Sequence, residues 1–206
     1  MIEYKKIEKT INTLYRDAQN DYFKMMKGAA KSIFRPIQPE DFKDVYLAIS
    51  EEQGLGLTEL IISKNIKNVV EFGTSFGIST LFLAQGIAQT GGHIITTELI
   101  ASKAKKAQKN FEAAGVQNLI ELRVGNALET LKGHDQPVDL LLLDGWKDLY
   151  HSIFKMLESQ FHQGTIIYVD NADMHETQLF LREVQSEDIY KIEYRFGGKV
   201  ALITYE

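Results

Sequence analysis

Short apolar runs alternate with longer helix-forming segments from residue 68 onward. Each of the first four runs is followed by sequence that favours a helix, as in residues 101–114 with their Lys, Ala, Gln and Glu. Near-continuous apolar strands that alternate with helices are typical of a parallel sheet buried on both faces. We therefore predict parallel strands over residues 68–72, 93–97, 120–124, 138–143 and 165–169.

The end of the chain has a hairpin pattern instead. Residues 190–196 and 199–205 form two further strand-like segments, and Gly197 and Gly198 separate them. Paired glycines permit the tight turn that joins antiparallel strands. The predicted fold is therefore α/β, a doubly wound sheet that ends in a hairpin.

The start of the chain has helical rather than strand spacing. Apolar positions recur at three- and four-residue intervals in the first 26 residues, which predicts an amphipathic helix that ends near Gly28. Further helices are expected over residues 41–52 and 58–63, with Gly54 and Gly56 breaking the pattern between them.

We expect residues 1–65 to form a helical preface or lid within the same domain as residues 66–206, since 206 residues suit one domain. The preface could also serve as the surface of a homodimer. Residues 1–36 hold eight basic and four acidic residues, so the remainder of the chain carries the acidic excess.

Composition argues against some classes of binding partner and restricts the ligands that a metal site could have. The 23 Lys and Arg against 28 Asp and Glu argue against a nucleic-acid partner. No apolar stretch approaches the ~20 residues of a membrane helix and no signal-peptide pattern is visible, so we expect a cytoplasmic protein without a membrane partner. The absence of Cys excludes disulfides and thiolate ligands, which leaves any metal site to oxygen and nitrogen.

A glycine-containing loop, EFGTSFGIS, follows the first predicted strand. Such a loop lets the backbone approach a ligand at the start of a helix. The dinucleotide fingerprint needs glycine at two positions that Ser75 and Ile78 occupy, so NAD is disfavoured. Gly73, Ser75 and Gly77 also spell the G-x-S-x-G nucleophile elbow of hydrolases, and an aspartate and His175 could complete a triad. That elbow, however, normally follows a later strand.

A third interpretation of the loop is E-x-G-x-x-x-G, beginning at Glu71. The second predicted strand then ends at Glu98, whose carboxylate could accept both hydroxyls of a ribose. Asn126 and Ala127 follow the third strand and could border an adenine. Glu98 could also be only a solvated strand end, but in this order the residues fit S-adenosylmethionine better than NAD.

Carboxylates also end the fourth and fifth predicted strands. Asp144 follows one strand, and Asp170 and Asn171 follow the other. Because we expect these strands to be neighbours, about 4.8 Å apart, their terminal side chains should converge. Two carboxylates, an amide carbonyl and water suit Mg²⁺ or Ca²⁺ rather than zinc. Alternatively, Asp170 and Asn171 simply cap the following helix.

These motifs closely resemble those of the metal-dependent catechol O-methyltransferases. The run DGWKDLY at 144–150 and the later run VDN at 169–171 carry the similarity, which covers residues 45–175 and fades beyond them. Five positions resemble the S-adenosylmethionine site of the same family: Glu71, Gly73, Gly77, Ser79 and Glu98.

The resemblance implies a Rossmann-like class I methyltransferase fold of seven strands, the last one antiparallel. It implies that Lys147 is the general base, with Asp144 also catalytic. Asp144, Asp170 and Asn171 would bind Mg²⁺ or another divalent cation. Trp146 would cover the cofactor, unless it is a plain core aromatic. The implied cofactor-binding residues are Glu71, Gly73, Ser75, Gly77, Ser79, Glu98, Asn126, Ala127, Asp144 and Trp146.

The implied reaction is methylation of a hydroxyl on a small, catechol-like acceptor. The family's acidic substrate contact near the C-terminus has no clear counterpart, and Glu193 is the candidate for it. Three alternatives remain at this point. They are the same fold without a catalytic metal, a serine hydrolase that uses Ser75, and a cofactor-binding module without activity.

Overall fold

A computed structural model describes residues 2–19, 21 and 38–205 of the chain. Within these ranges the strands are β1 Asn68–Phe72, β2 His93–Glu98, β3 Ile120–Val124, β4 Leu140–Leu143, β5 Ile166–Asp170, β6 Tyr190–Arg195 and β7 Val200–Tyr205. The helices are α1 Tyr4–Ala18, α2 Glu51–Lys64, α3 Ile78–Thr90, α4 Ala101–Ala114, α5 Ala127–Thr130, α6 Tyr150–Leu157 and α7 His175–Gln185.

The strands form one sheet in the order β3-β2-β1-β4-β5-β7-β6. β1 to β5 are parallel, and β7 lies antiparallel between β5 and β6. The predicted Rossmann-like class I fold is therefore confirmed, including its terminal hairpin, and predicted strand ends differ from the observed ones by two residues at most. The strand order reverses between β1 and β4, where such sheets bind ligands.

Two hydrophobic clusters cover the two faces of the sheet. One contains residues of α1, α2, α3 and α4, and the other contains residues of α5, α6 and α7. All four residues of β4 are buried, as expected for a central strand with helices on both faces. The first helix shares a cluster with the sheet through Ile7, Ile11 and Leu14.

The preface differs from the prediction beyond its first helix. The predicted helix over 41–52 is wrong, because residues 39–42 form one 3₁₀ turn and residues 45–50 have no regular structure. The predicted extension of the first helix to Gly28 lies outside the described residues. The roof segment, as we call residues 39–49, is bonded to other elements: the Tyr15 hydroxyl donates to the Ile49 carbonyl at 2.9 Å.

The predicted break at Gly54 and Gly56 is also wrong. Both glycines lie inside α2, which begins after Ser50 and is stabilised there by a capping box between Ser50 and Gln53. Gly54 lies where any Cβ would come within 2.3 Å of the Phe82 ring. The glycine therefore allows α2 to pack closely on α3 rather than ending the helix.

Within the described ranges, no helix is both long and apolar enough to cross a lipid bilayer.

Candidate functional site

A cavity of about 860 Å³ opens at the carboxyl ends of the parallel strands. Loops that follow β1 to β5 form its floor, and the roof segment closes it from above. The predicted site residues that line this cavity are Gly73, Ser75, Ser79, Glu98, Asn126, Ala127, Asp144, Trp146, Lys147, Asp170 and Asn171.

Gly73 lies where the loop after β1 crosses the loop after β4. Its φ is +110°, and a Cβ would come within 2.6 Å of the Asp144 carbonyl oxygen. A side chain at this position would force the two loops apart. Gly73 therefore lets the cavity floor form at the point where the strand order reverses.

Glu71 and Gly77 are not part of the cavity wall, so the structure corrects the expectation that they contact a cofactor directly. Glu71 is fully buried behind the loop and accepts hydrogen bonds from the hydroxyls of Ser79, Thr80 and Thr96 at 2.5–2.6 Å. Burial raises the pKa of Glu71 despite these three donors. Glu71 thus joins β1 to β2 and to the start of α3.

Glu98 ends β2 and is held by backbone groups. Its carboxylate accepts the N–H of Ser75 and the N–H of Ile100, each at 2.8 Å. Burial raises the pKa of this carboxyl, and these backbone donors oppose the rise. Two hydrogen bonds leave lone pairs on a carboxylate, so Glu98 is oriented and still able to accept from a ligand.

Asn126 and Ala127 border the same end of the cavity, after β3. The Asn126 side-chain oxygen accepts the N–H of Leu128 at 3.0 Å and so caps α5. This bond uses the side-chain carbonyl and leaves the amide N–H₂ group as a donor.

Ser75 does not have the surroundings of a catalytic nucleophile. Its hydroxyl donates to the Tyr46 carbonyl at 2.8 Å and accepts from Lys103 Nζ at 3.3 Å. His175 begins α7, and no histidine is among the residues that line the cavity in the described part of the chain. The Ser, Asp and His triad needs a histidine beside the serine, so the geometry does not support a triad of Ser75 with His175.

Lys103 is a cavity residue that the sequence interpretation missed. It lies in the first turn of α4 and its exposed fraction is 4 %. A signal was present, because Lys103 precedes the buried Ala107 by one turn and Phe111 by two. A lysine on the apolar face of an amphipathic helix is a candidate buried cation.

Asp144 and Asp170 converge as predicted from the pairing of β4 with β5. Leu143 pairs with Val169, so Asp144, the residue after β4, and Asp170, the last residue of β5, lie at the same level of the sheet. Burial raises the pKa of both carboxyls, and the charge of Asp170 adds to the rise at Asp144. Two neighbouring carboxyls of this kind favour a shared proton or a bound cation.

Two further side chains contact this carboxylate pair. Lys147 Nζ lies 3.8 Å from Asp144 Oδ1 and donates to the Gly145 carbonyl at 3.0 Å. From the opposite side, Gln53 Nε2 donates to Asp170 Oδ1 at 2.7 Å. The pair therefore lies between the Lys147 amine on the loop after β4 and the Gln53 amide at the start of α2.

Asn171 follows Asp170 with a φ of +55°. The alternative that these two residues cap the next helix is wrong, because α7 begins only at His175 with Met174 as its N-cap. No cluster of three or more His, Asp or Glu that could hold a metal occurs among the described residues. A cation here would have two carboxylates, one amide oxygen and water, a set that suits Mg²⁺.

Trp146 is not a core aromatic. Its exposed fraction is 37 %, it lines the cavity, and its Nε1 donates to Asp148 at 3.2 Å. Glu193, the candidate for a further acidic substrate contact, is outside the cavity and pairs with Arg195 at 2.9 Å. The structure thus removes Glu193 as a substrate contact and leaves Trp146 available to cover a ligand.

The sequence interpretation also missed an apolar wall of the cavity. Its members lie on the roof segment and on the loops after β4 and β5, and half of the Leu47 side chain is exposed. Apolar side chains that line a cavity are typical of a ligand site. The wall consists of Pro39, Phe42, Leu47, Leu149 and Met174.

Comparison with known proteins gives the family of this chain. A model of the O-methyltransferase family matches residues 38–193. The chain is 31% identical over 129 residues to a catechol O-methyltransferase of Niastella koreensis, an alignment that covers 61% of this chain and 58% of that protein. It is 34% identical over 126 residues to a catechol O-methyltransferase of Mycobacterium tuberculosis, with 61% and 57% covered. The chain thus matches less than two thirds of the length of either relative.

Solved structures agree with this assignment. Cofactor-bound Rv0187 from MTB superimposes with a TM-score of 0.69 at 27% identity, over 77% of this chain and 81% of that one. An O-methyltransferase from Bacillus cereus, in complex with SAH, shares the fold with a TM-score of 0.69 at 21% identity, over 88% and 97% of the two chains. Together with the family match over residues 38–193, the glycine loop and the paired strand-end aspartates, this places the chain in the O-methyltransferase family.

Proposed function

We propose that this protein transfers a methyl group from S-adenosylmethionine to a hydroxyl of a small, catechol-like aromatic acceptor, assisted by Mg²⁺ or another divalent cation. One observation carries the proposal. A single cavity contains a buried carboxylate at the end of β2 and a pair of carboxyls at the ends of β4 and β5. The first suits a ribose and the second suits a cation with an acceptor oxygen beside it.

The cofactor would lie over β1, β2 and β3. Gly73 and Ser79 would face its methionine part, Glu98 would accept from the ribose hydroxyls, and Asn126 with Ala127 would border the adenine. Trp146 would cover the flank of the cofactor from the loop after β4. Glu71 would act indirectly, because its hydrogen bonds fix Ser79 from behind.

Asp144, Asp170 and Asn171 would hold the divalent cation, and their oxygen donors fit that ion. When bound, the ion supplies a Lewis acid that stabilises negative charge on the acceptor oxygen. Gln53 would keep one Asp170 oxygen engaged, which fixes the orientation of the carboxylate.

The apolar wall would hold the ring of the acceptor. Phe42 and Leu47 come from the roof segment and Met174 from the loop after β5, so the wall lines the same cavity as the carboxylate pair. A flat ring between apolar side chains, with hydroxyls directed at oxygen ligands, fits a catechol-like molecule. The relatives from Niastella koreensis and Mycobacterium tuberculosis, both named catechol O-methyltransferases, support the same class of acceptor.

Lys147 would accept the proton of the acceptor hydroxyl on Nζ. Its amine lies at the carboxylate pair with 16% of the side chain exposed, so it can reach a hydroxyl held there. A methyl group on a sulfonium needs little activation, so the residues chiefly have to place a deprotonated oxygen in line with it. A cytoplasmic location and a homodimer remain predictions.

Titration calorimetry with S-adenosylhomocysteine, followed by a methylation assay on catechol with Mg²⁺ or with chelator, tests the proposal. We expect cofactor binding, turnover with Mg²⁺ and loss of turnover with chelator. Asp170→Ala should weaken Mg²⁺ binding and lower turnover, whereas the exposed Asp173→Ala should behave like the unmodified protein.

The outcomes separate the alternatives. The absence of measurable cofactor binding would reject methyl transfer altogether. Cofactor binding without turnover on any hydroxylated aromatic would favour a binding module. Full activity after chelation and in Asp170→Ala would favour the same fold without a catalytic metal.

A further inference from the structure

Lys103 is a buried cation for which methyl transfer assigns no role. It is 4 % exposed, lines the cavity, and donates from Nζ to the Ser75 hydroxyl at 3.3 Å. The Phe76 ring lies 5.3 Å from Nζ and covers the ammonium on one side. A lysine is rarely buried unless an opposite charge accompanies it.

Glu98 is that opposite charge. The two residues attract each other electrostatically, and Ser75 connects them, because its N–H donates to Glu98 Oε2 while its hydroxyl accepts from Lys103. Ser75 has a φ of +51°, an uncommon backbone conformation for a serine. The three residues thus form one arrangement at the predicted ribose position.

The charged groups around this arrangement come from several elements and are mostly acidic. Lys103 also interacts electrostatically with three aspartates: Asp21 beside the roof segment, Asp44 within the roof segment and Asp144 after β4. Glu98 interacts with the buried Glu71 on β1. Burial raises the pKa of Glu98 and lowers that of Lys103, and each charge opposes the shift of the other. Lys103 thus interacts with acidic groups from several elements, of which Asp144 also has Lys147 beside it.

We propose that Lys103 is a positioning residue for cofactor binding, which holds Glu98 as an anion and keeps Ser75 in place beneath the ribose. This inference rests on the proposed function. A ribose hydroxyl donates a hydrogen bond to a carboxylate more strongly than to a neutral carboxylic acid. Without Lys103 the buried Glu98 would bind a proton more readily, and ribose recognition would weaken as the pH falls.

The link also reaches the acceptor side of the cavity. The Ser75 hydroxyl that accepts from Lys103 donates in turn to the Tyr46 carbonyl on the roof segment. Lys103 therefore helps to attach the roof segment to the glycine-containing loop after β1. Loss of the ammonium should affect cofactor affinity first, because Glu98 faces the cofactor directly.

The test is titration calorimetry with S-adenosylhomocysteine on the full chain of Lys103→Met, Lys103→Arg and the unmodified protein, between about pH 6 and about pH 8. For Lys103→Met we expect a dissociation constant about tenfold higher near neutral pH, and a ratio to the unmodified protein that grows as the pH falls. Lys103→Arg retains a cation and should restore most of the affinity and remove the added pH dependence.

Lys105→Met is the matched control. It removes another α4 lysine, which is exposed and outside the cavity wall. Its cofactor affinity should follow the unmodified protein at every pH. A Lys103→Met protein that melts as the unmodified one does, with unchanged affinity and pH dependence, would overturn the inference. So would a pH-independent loss that arginine does not rescue. Lack of binding by the unmodified protein would instead reject the proposed function.

Discussion

Lys147 shows how the role of a single residue depends on its neighbours across the sheet. A lysine on the loop after β4 could be an ordinary surface residue, yet its amine lies 3.8 Å from the carboxylate of Asp144. Asp144 in turn interacts electrostatically with Asp170 from the adjacent strand. Under the proposed function, the three groups together would hold and deprotonate the acceptor hydroxyl.

We expect Lys147→Met to lower kcat for methyl transfer by about 10²–10⁴-fold, the usual contribution of a general base. The dissociation constant of S-adenosylhomocysteine should remain close to that of the unmodified protein, because the amine faces the acceptor. Steady-state kinetics and calorimetry measure the two quantities. Lys155→Met, at an exposed lysine of α6 that pairs with Glu158 and Glu187, is the control. A normal kcat in Lys147→Met would exclude Lys147 as the base.

At the scale of elements, the contact between α2 and α3 helps to determine where Gln53 lies. The helices approach closely at Gly54, and the Thr58 hydroxyl donates to the Phe82 carbonyl at 2.9 Å. Because Gln53 precedes Gly54 in the chain, this packing also delivers the Gln53 amide to Asp170. The helix pair therefore connects core packing with the carboxylate pair.

Gly54→Ala should destabilise the protein by about 1–3 kcal/mol, the usual cost of overpacking a core. The new methyl group would lie 2.3 Å from the ring of Phe82, which is buried, so the ring has little room to move. Chemical denaturation measures the free energy of unfolding. Gly56→Ala is the control in the same helix, because its methyl group would meet only the tip of the half-buried Phe196 ring at 2.8 Å. Equal stability of the two variants would contradict close packing at Gly54.

At the scale of the whole molecule, Asp139 connects neighbouring strands at their amino-terminal ends, on the side of the sheet opposite the cavity. Its Oδ2 accepts the backbone N–H groups of Lys67 and Asn68 at 2.8 and 2.9 Å, and its Oδ1 is 2.9 Å from His162 Nε2. Burial would raise the pKa of Asp139, but these backbone N–H groups and His162 outweigh it and hold the pKa below the usual 3.8. The ionised carboxylate thus stabilises the starts of β1, β4 and β5.

A carboxyl whose pKa is lowered by folding stabilises the protein above its unfolded-state pKa, and that contribution is lost as the pH falls through the folded-state pKa. We expect Asp139→Asn to cost about 1 kcal/mol near neutral pH. The difference from the unmodified protein should shrink below about pH 4. Urea denaturation at several pH values measures it. The exposed Asp135→Asn should show neither effect, and a difference that grows on acidification would contradict the assignment.

The paired glycines determined the terminal hairpin. The alternation of apolar strands and helices determined the α/β fold class and the five parallel strands, because strands covered by helices on both faces are largely apolar. It also determined that Asp144 and Asp170 would meet, because parallel neighbours end at one edge. The local pattern was misleading in the preface. Gly54 and Gly56 indicate a break in the sequence, but both lie inside α2, and Gly54 allows that helix to pack on α3.

Only the tertiary structure decided which polar residues face the cavity. It placed Glu71 behind the glycine-containing loop, although the sequence indicated a binding role for Glu71. It placed Lys103 within the cavity wall, although the sequence indicated no role for Lys103. It also brought Gln53 to Asp170, 117 positions away in the chain. Spacing along a strand or helix specifies a face, whereas the partner across that face depends on how distant elements pack, and burial and charge pairing depend on the partner.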